Sequence, residues 1–140
     1  MTLLMDHAAL EAFVAQEFAQ VADILSVHAV SEAGVTLKLT PTQAHLRPGG
    51  TVSGPSMFML ADVALYLAIL SRIGPVALAV TTNAHIDFMR KPASDAPLYG
   101  EATLLKLGRS LAVGQVAIRN AGSDDVLAQA SMTYAIPPKR

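Results

Sequence analysis

The chain has 140 residues, of which 52% are hydrophobic and 15% charged, and these proportions predict a single domain over residues 1–140 with a substantial core. Its formal net charge of −1 argues against a broad nucleic-acid or anionic-membrane surface, which requires clustered Lys and Arg. The lack of cysteine excludes a disulfide framework, a thiolate nucleophile and a cysteine zinc site, and it fits a cytoplasmic protein.

The first third of the sequence predicts a helix followed by two strands. Apolar residues recur every three or four positions over Ala9–Ile24, which indicates an amphipathic helix. Short β-branched runs at Ser26–Val30 and Val35–Thr40, joined by a glycine turn, predict two strands. The next segment, Pro41–Gly50, is typical of a loop.

A long apolar segment follows, and it predicts a buried helix. The helix begins near Gly54-Pro55, because proline in the first turn gives up an amide that has no intrahelical partner, and it ends at Gly74-Pro75. Its most apolar part, Met57–Leu70, spans 14 residues and contains Asp62, so it is short of the roughly 20 needed to cross a bilayer. Because Met1–Glu17 has no basic region, we expect no signal peptide, no membrane contact and a cytoplasmic location.

The remainder of the chain predicts strands separated by proline and glycine turns. Their short connections favour an antiparallel meander, and a sheet wrapped around one buried helix is an α+β arrangement. Such a sheet leaves an unpaired edge that a second copy of the chain can cover. The four predicted strands are Val76–Arg90, Leu98–Leu107, Leu111–Asn120 and Val126–Ile136.

Asp62 is the residue that most needs an explanation, since a carboxylate in an apolar helix costs several kcal/mol unless it is paired or used. It is either a structural carboxylate at a subunit interface or a catalytic group. Gly54 is either a plain helix-entry glycine or the donor of a free N–H, at the positive end of the helix dipole, to an oxyanion. The eight-residue step between them spans about 12 Å in a helix, so one site containing both requires two chains.

The order of elements, together with four short motifs, resembles the hotdog-fold acyl-CoA thioesterases, in the PaaI-like branch of the 4-hydroxybenzoyl-CoA thioesterase superfamily. The resemblance covers roughly residues 34–136. It implies a long antiparallel sheet around a central helix, an extra N-terminal helix, and a homodimer or a tetramer built from two dimers. The motifs are Ser53-Gly54-Pro55 with Leu60-Ala61-Asp62, the strand 79–93 with its Phe88-Met89-Arg90-Lys91-Pro92-Ala93 end, the turn Gly108-Arg109-Ser110-Leu111, and the closing strand 126–134.

The resemblance implies roles for three residues in thioester hydrolysis. Asp62 corresponds to the helix carboxylate that acts as nucleophile or as general base on water. Gly54 corresponds to the glycine that faces this carboxylate from the other protomer. Thr81 falls where relatives carry a hydroxyl that orients the water or the carboxylate, although a strand threonine is more often simply a β-former.

The resemblance also implies an acyl-CoA substrate, with coenzyme A as part of the substrate and no separate cofactor. Arginine and lysine suit its phosphates, although each is equally well explained as solvated surface charge. A metal site is not expected, because His85 has only Asn83 and Asp87 on its strand face. The candidate coenzyme A contacts are Arg90, Lys91, Arg109 and Ser110.

The glycine motif departs from the family pattern. Ser53 stands where relatives carry His, Pro55 replaces the second Gly, and Arg47 occupies the place of an Asn. Two functions therefore remain open. One is an acyl-CoA thioesterase for a small aryl or acyl group, and the other is a hotdog protein that binds acyl-CoA without hydrolysing it.

Overall fold

The computed structural model describes residues 3–138, and these contain two α-helices, two short 3-10 helices and six strands. The first helix ends at Glu17 rather than Ile24, because Phe18 leaves the helical region at φ −133° and ψ 47°. The long strand expected from Val76 begins only at Val80, after a turn closed by the Ala79 N–H on the Val76 carbonyl. The elements are α1 (His7–Glu17), a 3-10 helix (Ala19–Val21), β1 (Leu25–Val30), β2 (Gly34–Leu39), a 3-10 helix (Gln43–His45), α2 (Gly54–Ile73), β3 (Val80–Phe88), β4 (Leu98–Leu107), β5 (Leu111–Asn120) and β6 (Ala128–Ala135).

Within residues 3–138 the six strands form one antiparallel sheet in the order β1-β2-β4-β5-β6-β3. The expected meander holds for β4, β5 and β6, but the prediction that β3 joins it by pairing with β4 is wrong. Instead, β3 pairs with β6 at the edge of the sheet, over Val80↔Ala135 to Phe88↔Ala128. The segment between β3 and β4 contains Pro92 and Pro97 and is too long for a tight hairpin, so it carries the chain from the edge of the sheet to its middle.

The helix α2 lies on one face of this sheet and forms the centre of the core. Leu60, Leu65, Leu67 and Ile69 are fully buried. A Cβ on Gly114 would lie 2.3 Å from the Leu65 side chain of α2 and 2.9 Å from the Thr103 backbone carbonyl, so a larger residue would force the helix or the sheet to shift. This α+β arrangement confirms the predicted hotdog fold, with α1 as the extra N-terminal helix.

By length and composition α2 is apolar enough to cross a membrane, but 72% of that apolar window is buried inside the protein. A helix enclosed in this way has the environment of a core helix. The cytoplasmic location stays a prediction.

Candidate active site

Asp62 lies in the middle of α2, where its carboxylate accepts hydrogen bonds from two hydroxyl groups of the sheet. Thr81 Oγ1 donates to Asp62 Oδ1 at 2.6 Å, and Tyr134 Oη is also 2.6 Å from Oδ1. Tyr134 Oη lies 2.8 Å from the Asp62 backbone carbonyl as well. Asp62 is half-buried, and its carboxylate is thus held by β3 and β6, as expected for a charge partly withdrawn from water.

Thr81 reaches Asp62 because of a β-bulge. Thr81 pairs with Tyr134 and Asn83 pairs with Thr133, so Thr82 is an extra residue in β3. In a regular strand Thr81 and Asn83 would point to the same face, whereas the bulge turns Thr81 toward the helix and leaves Asn83 exposed on the outer face. The bulge therefore turns the Thr81 hydroxyl toward Asp62, whereas regular alternation along the strand would have directed it outward.

Tyr134 is a site residue that sequence reasoning missed. Its side chain is 3% exposed and stacks on Tyr66, with ring centroids 6.1 Å apart. Burial, followed by the negative charge of Asp62, raises the pKa of Tyr134 well above its usual range, so the phenol remains a protonated donor. The available signal was its position on the buried face of a strand, since a buried tyrosine hydroxyl needs a hydrogen-bond partner.

Asp62 borders a cavity of about 330 Å³ between α2, the start of β3 and the end of α1. Its walls are mainly aromatic and aliphatic, and Tyr66 is fixed there by donating its hydroxyl to the Ala77 carbonyl at 3.0 Å. Phe18 packs edge-on against Tyr66 at 6.1 Å, while the exposed Glu17 and Gln20 lie at the rim. The cavity thus places the Asp62 carboxylate beside a compact apolar space.

Gly54 is the first residue of α2, and its N–H is free. The side chain of Ser53 accepts from the Ser56 N–H at 3.3 Å, and the Ser53 carbonyl accepts from the Met57 N–H at 3.1 Å. Pro55 has no N–H to offer. The Gly54 amide is thus the donor of the first turn that finds no acceptor among residues 3–138. Ser53, the residue in the place of the family's His, serves as the helix cap.

The amide of Gly54 borders a second cavity, of about 400 Å³, whose lining includes three cationic side chains. Arg90 and Lys91, both predicted coenzyme A contacts, lie on its wall. Arg47, which stands in the place of the family's Asn, lies there too. Three cations beside a helix N-terminus favour an anionic ligand.

The loop that carries Arg90 and Lys91 is held in place by Asn120, which is 7% exposed at the end of β5. Asn120 Oδ1 accepts from the Ala93 N–H at 2.8 Å, and its Nδ2 donates to the Ala93 carbonyl at 3.0 Å. The same Nδ2 lies 3.4 Å from the Ala96 carbonyl. Beyond this loop is a third cavity of about 440 Å³, on which Arg90 and Lys91 also lie. The two cations therefore stand between two adjoining cavities.

Within one chain the predicted site residues fall into separate groups. The cavities at Asp62 and at Gly54 share no lining residue within the part of the chain that the structure describes. Arg109 and Ser110 are exposed in the β4–β5 turn and border neither cavity. The Ser110 carbonyl accepts from the Ile136 N–H at 2.8 Å, which places this turn at the same end of the sheet as Thr81. The structure thus brings together Asp62 with Thr81, and Gly54 with Arg90 and Lys91.

A long central helix lying on one face of a six-stranded antiparallel sheet is the architecture of the hotdog class of proteins. The family model of the thioesterase superfamily matches residues 49–134, so the chain belongs to that superfamily. The PaaI-like branch within it stays a prediction.

Three comparisons extend this result. A solved candidate thioesterase from Silicibacter sp. TM1040 is 49% identical, with a TM-score of 0.92 over 99% of this chain and 96% of that one. A candidate esterase of Deinococcus radiodurans is 36% identical over 90 residues, and the match covers 64% of this chain and 59% of that protein. A Streptococcus pneumoniae hypothetical thioesterase, solved with coenzyme A, is 20% identical with a TM-score of 0.71, over 83% of this chain and 90% of that one, and it shares the fold.

Proposed function

We propose that this protein is an acyl-CoA thioesterase whose site forms between two copies of the chain. The observation that carries the proposal is the pair of half-sites on one helix. A hydroxyl-bound carboxylate, Asp62, lies in one cavity, and a free amide, Gly54, lies in another. The superfamily membership and the 49% identical structure support the activity.

The chemistry needs a carboxylate and an oxyanion donor. The Gly54 N–H stabilises the negative charge that develops on the thioester oxygen. In the general-base route, Asp62 takes a proton from water as the water oxygen bonds to the carbonyl carbon, the C–S bond breaks, and the proton passes to the departing thiolate. In the nucleophilic route, the carboxylate bonds to the carbonyl carbon, the thiolate leaves, and water then cleaves the anhydride. Both routes require the same two groups on opposite sides of the carbonyl.

The edge strand β3 offers a way to bring these groups together. Thr81, near one end of β3, bonds to Asp62, while Phe88, at the other end, lies against Gly54. Most of the residues of β3 are exposed, and its outer backbone edge is unpaired in the sheet of residues 3–138. Two β3 strands paired antiparallel across a two-fold axis bring the Thr81 end of one chain beside the Phe88 end of its partner. Asp62 then faces Gly54 of the partner subunit.

The same dimer gathers the candidate coenzyme A contacts. Arg109 and Ser110 lie at the Thr81 end of their own sheet, and Arg90 and Lys91 follow Phe88. Antiparallel pairing groups these two sets around one ligand, with Arg47 adding a further charge. The Streptococcus pneumoniae relative solved with coenzyme A supports this class of ligand. A tetramer built from two such dimers stays a prediction.

The acyl group fits the cavity beside Asp62. Its volume of about 330 Å³ and its Phe18, Tyr66 and Val63 walls favour a compact aryl or short acyl group. Aromatic walls bind flat apolar groups by offset and edge-on contacts. We therefore expect short and aromatic acyl-CoA thioesters to be cleaved faster than long-chain ones.

A panel of aryl-CoA and fatty acyl-CoA thioesters, assayed for free thiol, tests this function. Asp62→Asn keeps an oxygen that can accept from Thr81 and Tyr134, but it loses the charge, so hydrolysis should fall by at least about 100-fold. The exposed Asp124→Asn is the matched control, and it should retain wild-type rates. Tight acyl-CoA binding without release of thiol would instead support the non-hydrolytic binding protein.

A further inference from the structure

The two hydroxyls that hold Asp62 both bind the same carboxylate oxygen. Thr81 Oγ1 and Tyr134 Oη are each 2.6 Å from Oδ1. The single Tyr134 proton favours Oδ1, the nearer and negatively charged acceptor, over the Asp62 backbone carbonyl at 2.8 Å. No group among residues 3–138 donates a hydrogen bond to Oδ2. The carboxylate thus has one fixed oxygen and one oxygen left for a ligand, on a side chain that borders the cavity.

The donor Tyr134 is itself fixed on several sides. It is opposite Thr81 in the β3–β6 pairing, and its ring stacks on Tyr66 at an interplanar angle of 20°. Tyr66 is in turn held by its bond to the Ala77 carbonyl and by the edge of Phe18. A donor held this rigidly can fix the orientation of its acceptor, because packing has already removed the rotamer freedom of the tyrosine side chain.

We propose that Tyr134 is a positioning residue, which together with Thr81 fixes Oδ1 of Asp62 so that Oδ2 is the oxygen that reacts with water or with the thioester carbonyl. Hydrogen bonds draw electron density toward Oδ1 and leave Oδ2 as the oxygen without a protein donor. The inference rests on the proposed thioesterase activity, and it applies equally to the general-base and nucleophilic routes, since either route uses one oxygen.

Tyr134→Phe tests the proposal because it keeps the buried ring and removes only the hydroxyl. We expect kcat to fall by about 10- to 100-fold with KM changed less than about threefold, since the lost bond is to a charged group. A purely structural role for Tyr134 would leave kcat unchanged, because phenylalanine keeps the buried ring and its packing.

Two further variants sharpen the test. Thr81→Val should act in the same direction, whereas Thr81→Ser should retain most of the rate because it keeps the hydroxyl. The double variant with Tyr134→Phe should be non-additive, since both groups bind one oxygen. Tyr99→Phe, on the outer face of the sheet, is the control and should match the wild type. An unchanged kcat in Tyr134→Phe would overturn the proposal.

A measurement without substrate separates this inference from the thioesterase activity. Crystal structures of the wild type, Tyr134→Phe and Tyr99→Phe compare the orientation of the Asp62 carboxylate. The carboxylate should be rotated or occupy more than one orientation in Tyr134→Phe and keep its wild-type orientation in Tyr99→Phe. If the orientation changes while the wild type hydrolyses none of the thioesters, the positioning role of Tyr134 stands and the proposed activity fails. If the orientation is kept, the positioning role fails whatever the activity.

Discussion

Gly54 and Phe88 are in contact across the end of the sheet, so that a Cβ built on Gly54 would lie 3.3 Å from Phe88 Cζ. Phe88 is 51% exposed at the end of β3, and its ring has room to move by a few tenths of an ångström. A methyl side chain at position 54 would therefore be crowded by Phe88, but a small movement of the Phe88 ring would accommodate it. This makes it possible to test the Gly54 amide separately from its lack of a side chain.

Gly54→Ala and Gly54→Pro form a matched pair for that test. Alanine adds a Cβ and keeps the N–H, whereas proline adds a ring and removes the N–H. Ser53 suits a following proline because it is extended at ψ 155°, and Gly54 is the first residue of the helix. Both variants place a Cβ before Pro55, so any backbone cost at that step is shared by the pair. We expect thioester hydrolysis to fall by less than about threefold in Gly54→Ala and by about 100- to 1,000-fold in Gly54→Pro.

Steady-state kinetics and circular dichroism check this pair. Both variants should keep the wild-type content of secondary structure. Equal losses of activity in the two variants would assign the effect to crowding against Phe88 and count against an oxyanion role for the amide.

Mixed dimers test whether one site takes groups from two chains. Asp62→Asn and Gly54→Pro chains, unfolded and refolded together, should recover about a quarter of wild-type activity. Half of the dimers are then mixed, and each of these has one intact site of two. Activity is measured before and after refolding the mixture.

A mixture of Asp62→Asn with Thr81→Val is the control for subunit exchange. Asp62 and Thr81 belong to the same chain's half-site, so mixing them creates no intact site. The rate should remain the average of the two separate variants. Recovery in this mixture, or its absence in the first, would contradict a site shared between subunits.

Asn120 should control both the stability of the protein and its affinity for coenzyme A. Asn120→Ala removes the bonds to Ala93 and Ala96, and Asn120→Asp in addition places a carboxylate against their carbonyls. We expect the free energy of unfolding to fall by about 1–3 kcal/mol in Asn120→Ala and by more in Asn120→Asp. Urea denaturation measures this order.

The same variants should raise KM more than they lower kcat, because Asn120 anchors the loop that carries Arg90 and Lys91. The rise in KM should shrink at high salt, where charge contributes less to binding. A variant that loses stability but keeps its KM would show that the loop holds its cations without Asn120.

The two buried tyrosines predict a loss of stability at alkaline pH. Burial, and then the charge of Asp62 for Tyr134 and of Glu17 for Tyr66, raises the pKa of both groups above the ordinary 10.0. The folded state therefore keeps protons that the unfolded chain releases above about pH 10, so the free energy of unfolding falls as the pH rises beyond that value. Below it, this contribution is fully present.

Denaturation at about pH 9 and about pH 11 measures the effect. Tyr134→Phe should show a shallower decline than the wild type, because one of the two protons is no longer involved. Parallel declines in the two proteins would mean that Tyr134 titrates alike in the folded and unfolded states.

Local patterns in the sequence were enough for the elements whose bounds depend on neighbours along the chain. The strands Leu98–Leu107 and Leu111–Asn120 were predicted with the bounds found in the structure, and the Gly54 and Gly74 signals mark the two ends of α2. Turn glycines and alternating residues carry this information within a few positions. The strand that pairs with β3 could not be predicted from such local patterns, because the pairing of β3 with β6 depends on packing across the whole sheet.

In the candidate site, too, local features could be predicted from the sequence and long-range contacts could not. Asp62 stood out because a carboxylate in an apolar helix has a local cost. Its bond to Tyr134 joins residues 72 positions apart, and no periodicity relates them. The same holds for Arg47, which shares a cavity with Arg90 only after the loop before α2 has folded against the end of β3.

The extra residue in β3 has a consequence for reading related sequences. Removing Thr82 would place Thr81 directly before Asn83, so Thr81 would still lie opposite Tyr134 and face Asp62, with the pairing partners of Ala84 and Ile86 unchanged. Straightening the bulge with every residue kept would instead place Thr82 opposite Tyr134 and turn Thr81 onto the outer face. Thioesterase-like chains are thus better compared by which residue lies opposite this tyrosine than by matching a threonine to a threonine.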